Sequence, residues 1–250
     1  MTTLVVGATG ATGKLLVSQL LARGEQVRAI VRSINKLPED IREHPNFSAI
    51  EAGILELIDQ ELTEHVRGCT AVASCLGHNL TFKGMFGHPR RLVTDATRRL
   101  CRAIKANESA QPTKFVLMNT TGVRNRDLDE TISFAQHLVI GLIRVCVPPH
   151  ADNEGAAHYL RTEIGQDDKA VQWAAVRPDS LVDQDAVSEY ELHTSPTRSA
   201  IFDSGKTSRI NVARFMADLI ISPEAWQTWK GAMPVIYNIA EQDVADAREI

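Results

Sequence analysis

Apolar and polar positions along this chain fall into short blocks whose period switches repeatedly between strand-like and helix-like. Leu4-Val5-Val6 is a continuous apolar run, as in a strand buried on both faces. From Lys14 to Arg23 the leucines at 15, 16, 20 and 21 recur at helical spacing, and Gly24 ends the helix. A second buried strand is predicted over Gln26 to Val31, a third over Phe47 to Glu51, and a short helix over Ile54 to Arg67. Ala71 to Leu76 reads as the fourth strand. An amphipathic helix is predicted from about Pro89 to Asn107, with Leu92, Val93, Ala96, Leu100 and Ile104 on one face and five arginines mainly on the other. Lys114 to Met118 reads as the fifth strand and Val171 to Val176 as the sixth, with a helix over Asn153 to Ile164 between them, after the Pro148-Pro149 break. A helix over Val212 to Ile221 and a strand over Val235 to Ile239 complete the pattern. Strand and helix alternate throughout, which predicts an α/β fold: a Rossmann-type doubly wound, mostly parallel sheet with helices on both faces.

The connection between the first strand and first helix carries the first candidate chemistry. It reads Gly7-Ala8-Thr9-Gly10-Ala11-Thr12-Gly13, a G-x-x-G-x-x-G spacing. Such a turn is sharp, lets backbone N–H groups approach an anion, and points the positive end of a helix at it. Side chains larger than Thr or Ala would keep a pyrophosphate out, so Gly7, Thr9, Gly10, Ala11, Thr12 and Gly13 are the expected cofactor-binding residues. The second strand ends in Arg32-Ser33, with Lys36 four residues after Arg32. An enzyme preferring NAD usually places Asp or Glu here for the ribose hydroxyls. Arg32 and Lys36 would instead pair with the additional phosphate of NADP(H), and Ser33 could hydrogen-bond it. At the end of the fifth strand, Asn119-Thr120-Thr121-Gly122 places hydroxyls where a parallel sheet reaches its ligand.

Composition narrows the remaining classes. The 250 residues suit one NAD(P)-binding domain, with a small C-terminal elaboration from about residue 181 over the substrate side. Apolar residues make up 44% and charged residues 23%, an ordinary globular balance, and the net charge of −4 gives no electrostatic case for nucleic acid. The four cysteines form no C-x-x-C pair and no zinc-like spacing with histidine, so no metal site is expected. Free thiols and a core strand at the N-terminus predict a cytoplasmic chain without a secretory leader. No window reaches the ~20 apolar residues of a membrane span. The longest approach, Ile132 to Val147, includes Gln136, His137 and Arg144, and fits a pocket cover, a partner surface such as a homodimer face, or a membrane contact. Phe82, Met85 and Phe86, among glycines, fit either a flap over a ring or a capped loop.

GATGATG at 7–13, AIVRS at 29–33, KFVLMNTTGV at 114–123 and AAVRPDSLVD at 174–183 together resemble the atypical short-chain dehydrogenase/reductase superfamily. Within it the chain is most similar to the NADPH-dependent flavin reductase/biliverdin-IXβ reductase group and to NmrA-like NAD(P)-binding proteins. The resemblance runs from residue 2 to about 221. It implies that Arg32 and Lys36 bind the 2′-phosphate and that Leu76-Gly77 line the cofactor. Thr120 would sit beside the nicotinamide, and Asn119 and Pro178 would complete the site at the fifth and sixth strand ends. The reductases carry Asp-His after the Pro-Pro pair. Here Asp152 agrees, but Asn153 replaces the histidine. Their Gly-Asp after the third strand reads Gly53-Ile54, so that acid is missing.

Conventional short-chain dehydrogenases move a proton with Tyr-x-x-x-Lys, and no such pair occurs in this chain; Tyr159 is followed at that spacing by Glu163. Many atypical relatives place lysine near 153 and glutamate near 157, where this chain has Asn153 and Ala157. The resemblance therefore implies an NADPH-dependent reductase passing a hydride to a small-molecule acceptor that is flat and conjugated, flavin or quinone-like. Thr120, Asn153 and His150 would orient the acceptor. The alternative is a non-catalytic NADP(H) sensor of NmrA type, and a third possibility is a scaffold whose site has decayed.

Overall fold

The computed structural model describes residues 1–78, 87–128, 130, 148–199 and 203–239. Phe82, Met85, Phe86, Cys146 and the segment Ile132 to Val147 lie outside the described residues.

In chain order the elements begin with β1 (Thr2–Val6), α1 (Ala11–Ala22), β2 (Gln26–Val31), α2 (Glu39–Arg42), β3 (Phe47–Glu51), α3 (Asp59–Val66) and β4 (Ala71–Ser74). They continue with α4 (Leu92–Ala106), β5 (Thr113–Met118), α5 (Pro148–Tyr159) and β6 (Val171–Pro178). The last part holds β7 (Ser180–Val182), β8 (Tyr190–His193), β9 (Lys206–Ser208), α6 (Arg209–Ile221), α7 (Pro223–Trp229) and β10 (Val235–Asn238). The main sheet has eight strands in the order β3-β2-β1-β4-β5-β6-β10-β8. All its pairs are parallel except β8 with β10. The fold is thus the expected Rossmann-type α/β sheet. From β1 the chain winds outward through β2 and β3, then crosses back to β4. This reversal opens a crevice at the carboxyl ends of β1 and β4.

Strand alternation explains both cores. Val5, Ala29, Val31, Ala73, Val116 and Ala174 face α1 and α6, where Leu16, Leu20, Val212, Phe215 and Leu219 meet them. Their neighbours Leu4, Val6, Ile30, Val72, Phe115 and Leu117 face the opposite layer, supplied by Leu62, Val93, Leu100, Ala156 and Leu160. The central residues of these strands are covered on both faces, which is why the strands read as mainly apolar runs.

Several boundaries depart from the periodic pattern for local reasons. The helix expected to start at Ile54 starts at Asp59, because Gly53 to Glu56 closes a turn (Glu56 N to Gly53 O, 2.8 Å) and the Ile58 N–H then donates to the Glu61 carboxylate at 2.9 Å. The helix expected from Asn153 begins at Pro148. Proline lacks the N–H that a first turn leaves unpaired anyway, so the pair opens this helix instead of breaking it. The strand expected to reach Leu76 ends at Ser74. Beyond residue 181, β8 and β10 extend the main sheet, while β7 and β9 pair separately.

One charged pair crosses this core. The Arg177 side chain, at the end of β6, is 0% exposed and donates to both carboxylate oxygens of Glu130 at 2.8 and 3.2 Å. It also donates to the carbonyls of Met233, Val123 and Thr194. Glu130 in turn accepts from the Asn125 N–H at 2.7 Å, so the segment after β5 is pinned to β6.

Candidate functional site

The glycine turn sits at the crevice between β1 and β4. Gly7 has φ +77°, and a Cβ there would lie 2.5 Å from the Cys75 carbonyl carbon. At Gly13 a Cβ would stand 2.1 Å from the Gly7 oxygen, so the first turn of α1 packs directly on the loop. The Gly10 N–H donates to the Gly7 carbonyl at 2.9 Å and closes the turn. Gly10 caps α1 without a side chain, and the first turn of that helix has no acidic residue. The positive end of α1 is therefore not neutralised by an acid of its own first turn, and an anion in the cleft can take that place.

A cleft of about 470 Å³ opens from this turn. Its walls include Gly7, Thr9, Gly10, Ala11 and Thr12 from the turn, Arg32 and Lys36 beyond β2, and Leu76 and Gly77 beyond β4. A 3₁₀ turn over Ile34–Lys36, closed by the Lys36 N–H to the Ser33 carbonyl at 3.4 Å, keeps Lys36 on the same cleft as Arg32. Gly13 and Ser33 shape the backbone without forming the walls. Glu56, which the sequence pattern did not single out, folds its carboxylate against Gly53: a Cβ on Gly53 would be 2.5 Å from the Glu56 carboxyl carbon. An acidic group therefore lines the β3 side of the cleft despite the missing Gly-Asp. Met118, Leu181 and Arg209 also line the cleft.

The residues expected to orient a substrate gather where the end of β5 meets α5, and they are not among the wall residues of the cleft. Asn119 donates from Nδ2 to the Asn153 carbonyl at 3.1 Å, and its Oδ1 accepts from the Thr120 N–H at 2.9 Å. Gly122 lies between Thr120 and His150, and a Cβ there would be 3.8 Å from the Thr120 Oγ1 and 3.3 Å from the imidazole. The Pro178 carbonyl accepts from the Thr121 N–H at 3.1 Å. Thus β5, β6 and α5 are tied together here by side-chain and backbone bonds that no sequence spacing displays.

Asp152 has a histidine partner after all, but from another element. His78, a wall residue of the cleft, places Nε2 2.8 Å from the Asp152 Oδ2. The same carboxylate accepts from the N–H groups of Val93 and Thr94 at 2.8 and 2.9 Å, capping α4. Asp152 thereby joins α5, the start of α4 and the segment after β4. Asp152→Ala is expected to destabilise the fold by about 2 kcal/mol, since it leaves buried donors unpaired. Urea unfolding checks this, and a loss below ~0.5 kcal/mol would show the cap to be unimportant.

A family model described as NAD(P)H-binding matches residues 7–223. The chain belongs to this NAD(P)H-binding family. Its fold is shared with solved structures of low sequence identity. The oxidoreductase ylbE of Lactococcus lactis has a TM-score of 0.68 at 16% identity, with 100% of this chain and 98% of that chain covered. A protein of Streptococcus pneumoniae provisionally named an NADH-flavin reductase has a TM-score of 0.66 at 19% identity, over 96% of this chain and 100% of that one. A short-chain dehydrogenase/reductase of Veillonella parvula, solved in complex with NADP, has a TM-score of 0.67 at 13% identity, over 95% and 94%. An uncharacterized chloroplast protein of Arabidopsis thaliana is 42% identical over 52 residues, which is 21% of this chain and only 19% of that protein.

Within this member of the NAD(P)H-binding family the tyrosines stand away from the cleft walls. Tyr159 packs against the α4 layer with the Arg98 guanidinium 5.4 Å from its ring centre, and burial pushes its phenol up to about 12. Tyr190 is likewise raised to about 12 by burial, with its hydroxyl 3.3 Å from Asp218. Burial also raises the thiol of Cys75, whose backbone meets Gly7, to about 12, which leaves it an inert core residue. Cys69, Cys75 and Cys101 are free and buried. Among the described residues no cluster of three or more His, Cys, Asp or Glu could hold a metal ion, and no helix is long and apolar enough to cross a membrane.

Proposed function

We propose that this chain is an NADPH-dependent reductase that passes a hydride to a flat conjugated acceptor of flavin or quinone type. The observation that carries the reading is the pair of cations, Arg32 and Lys36, that line the same cleft as the glycine turn. The turn would hold the diphosphate through backbone N–H groups and the α1 terminus, and the two cations would hold the 2′-phosphate. Gly7 and Gly13 support this fit, because any side chain on either would fill the cradle or break its floor.

When bound, the reduced cofactor supplies the hydride, and the chain's work is orientation and exclusion of water. Thr120, after β5, and Asn153, on α5, would orient the acceptor, with Asn119 bonded to the backbone of both. A conjugated acceptor can take its proton from solvent, so no tyrosine–lysine pair is required. Tyr159→Phe is accordingly expected to leave turnover unchanged, measured as NADPH consumption. The buried free thiols fit a reducing compartment, here the cytoplasm.

The deciding assay follows NADPH oxidation against FMN, riboflavin, quinones and biliverdin. Turnover with one or more of them supports the reductase. Tight NADPH binding with no turnover above the buffer rate would instead favour the NmrA-type sensor, which Asn153 and Ala157 also fit.

A further inference from the structure

We propose that Arg209 is an anchor for the dinucleotide's diphosphate, which it grips in exchange for its resting partner Asp183. β7 and β9 run in parallel register with Val182 beside Ser208, so the next residues, Asp183 and Arg209, fall side by side. Their ion pair measures 2.8 Å, but the Asp183 side chain is 85% exposed while that of Arg209 is 24% exposed. A pair whose carboxylate stands almost wholly in water is weak and readily exchanged.

Arg209 also occupies an unusual place for a cation. It is the first residue of α6, at the positive end of the helix, and no acid lies in that first turn. A guanidinium there is disfavoured unless an anion stands beside it. The guanidinium-bearing residue forms part of the same cleft wall system as the N-terminal turn of α1, which is a second positive helix end without an acid. Arg209 and the N-terminal turn of α1 thus border one cavity.

The backbone that carries Arg209 is braced against the rest of the site. The Ser208 N–H donates to the Asn238 Oδ1 at 2.9 Å, and the Ser208 hydroxyl accepts from the Asn211 N–H at 3.2 Å. Gln19, on α1, donates to the Ile210 carbonyl at 3.1 Å. The start of α6 is therefore fixed relative to the helix that follows the glycine turn, and only the arginine side chain has to turn from one anion to the other. A planar guanidinium suits the paired oxygens of a diphosphate.

The inference rests on the cleft being the NAD(P)H site. Because the diphosphate is common to both cofactors, Arg209 serves NADH and NADPH alike, unlike Arg32 and Lys36. The test is calorimetric titration of NADPH and NADH into the wild type, Arg209→Gln, Asp183→Asn and the double variant, with thermal unfolding recorded for each. Arg209→Gln is expected to weaken both nucleotides by about tenfold. Asp183→Asn, at an exposed position that tolerates change, is expected to tighten both by roughly threefold, and that gain should vanish in the double variant. Unchanged affinities in Arg209→Gln, with wild-type binding intact, overturn the inference alone. A loss confined to NADPH overturns it in favour of the 2′-phosphate, and a raised KM for an anionic acceptor with unaltered cofactor affinity overturns it in favour of the acceptor. Failure of the wild type to bind either nucleotide overturns the nucleotide reading and this inference together.

Discussion

Arg177→Met is expected to lower the unfolding free energy by roughly 3–5 kcal/mol, the effect of stranding one half of a buried ion pair. Among the described residues, the substitution leaves the buried Glu130 carboxylate with the Asn125 N–H alone, and it removes donors from the carbonyls of Met233, Val123 and Thr194. Each abandoned polar group retains its desolvation cost without a compensating bond. In a chain of this size the midpoint of thermal unfolding should fall by about 10 °C. Pairing Arg177→Met with Glu130→Met should recover part of the loss, since an apolar pair of similar volume carries no stranded charge. A single-variant loss under about 1 kcal/mol, or a double variant worse than the sum of the two singles, would contradict this account. The consequence reaches the site, because the same network holds the segment that follows Asn119 and Thr120 against β6.

The second large effect concerns cofactor choice. Arg32→Ala together with Lys36→Ala is expected to weaken NADPH binding on the order of a hundredfold, through the loss of two charge-assisted contacts, while NADH binding changes little. Dissociation constants for both nucleotides in both proteins provide the measurement. Raising the salt concentration should narrow the wild-type preference, since these cations are exposed and screened. Equal losses for NADPH and NADH would end the 2′-phosphate assignment and move the two cations to a general electrostatic role.

How much of this was legible in the chain differs from element to element. β1, β2, β4, β5 and β6 were readable because a parallel strand covered on both faces is mainly apolar along its middle, and that leaves a short continuous run. β7, β8 and β9 were not, since Ser180–Val182, Tyr190–His193 and Lys206–Ser208 are short and mix polar with apolar residues. The proline pair at 148 and 149 signalled a break, yet its meaning depended on which side the helix lay. Tyr159 shows the same asymmetry: its spacing to Glu163 was visible, but its distance from the cleft walls was not.

The sequence by itself determined the sheet type, the glycine turn and the cations after β2, because each is a local matter of backbone freedom, periodicity or charge within a few residues. Only the tertiary structure decided the partners of the polar groups. His78 meets Asp152 across 74 residues, Arg177 meets Glu130 across 47, and Arg209 meets Asp183 across 26. A hydrogen bond between distant segments has no period and no spacing rule; it exists because strand order and helix packing bring two side chains within 3 Å. In the same way Glu56 was an ordinary exposed acid in the sequence and became a wall of the cleft once the turn at Gly53 folded it back.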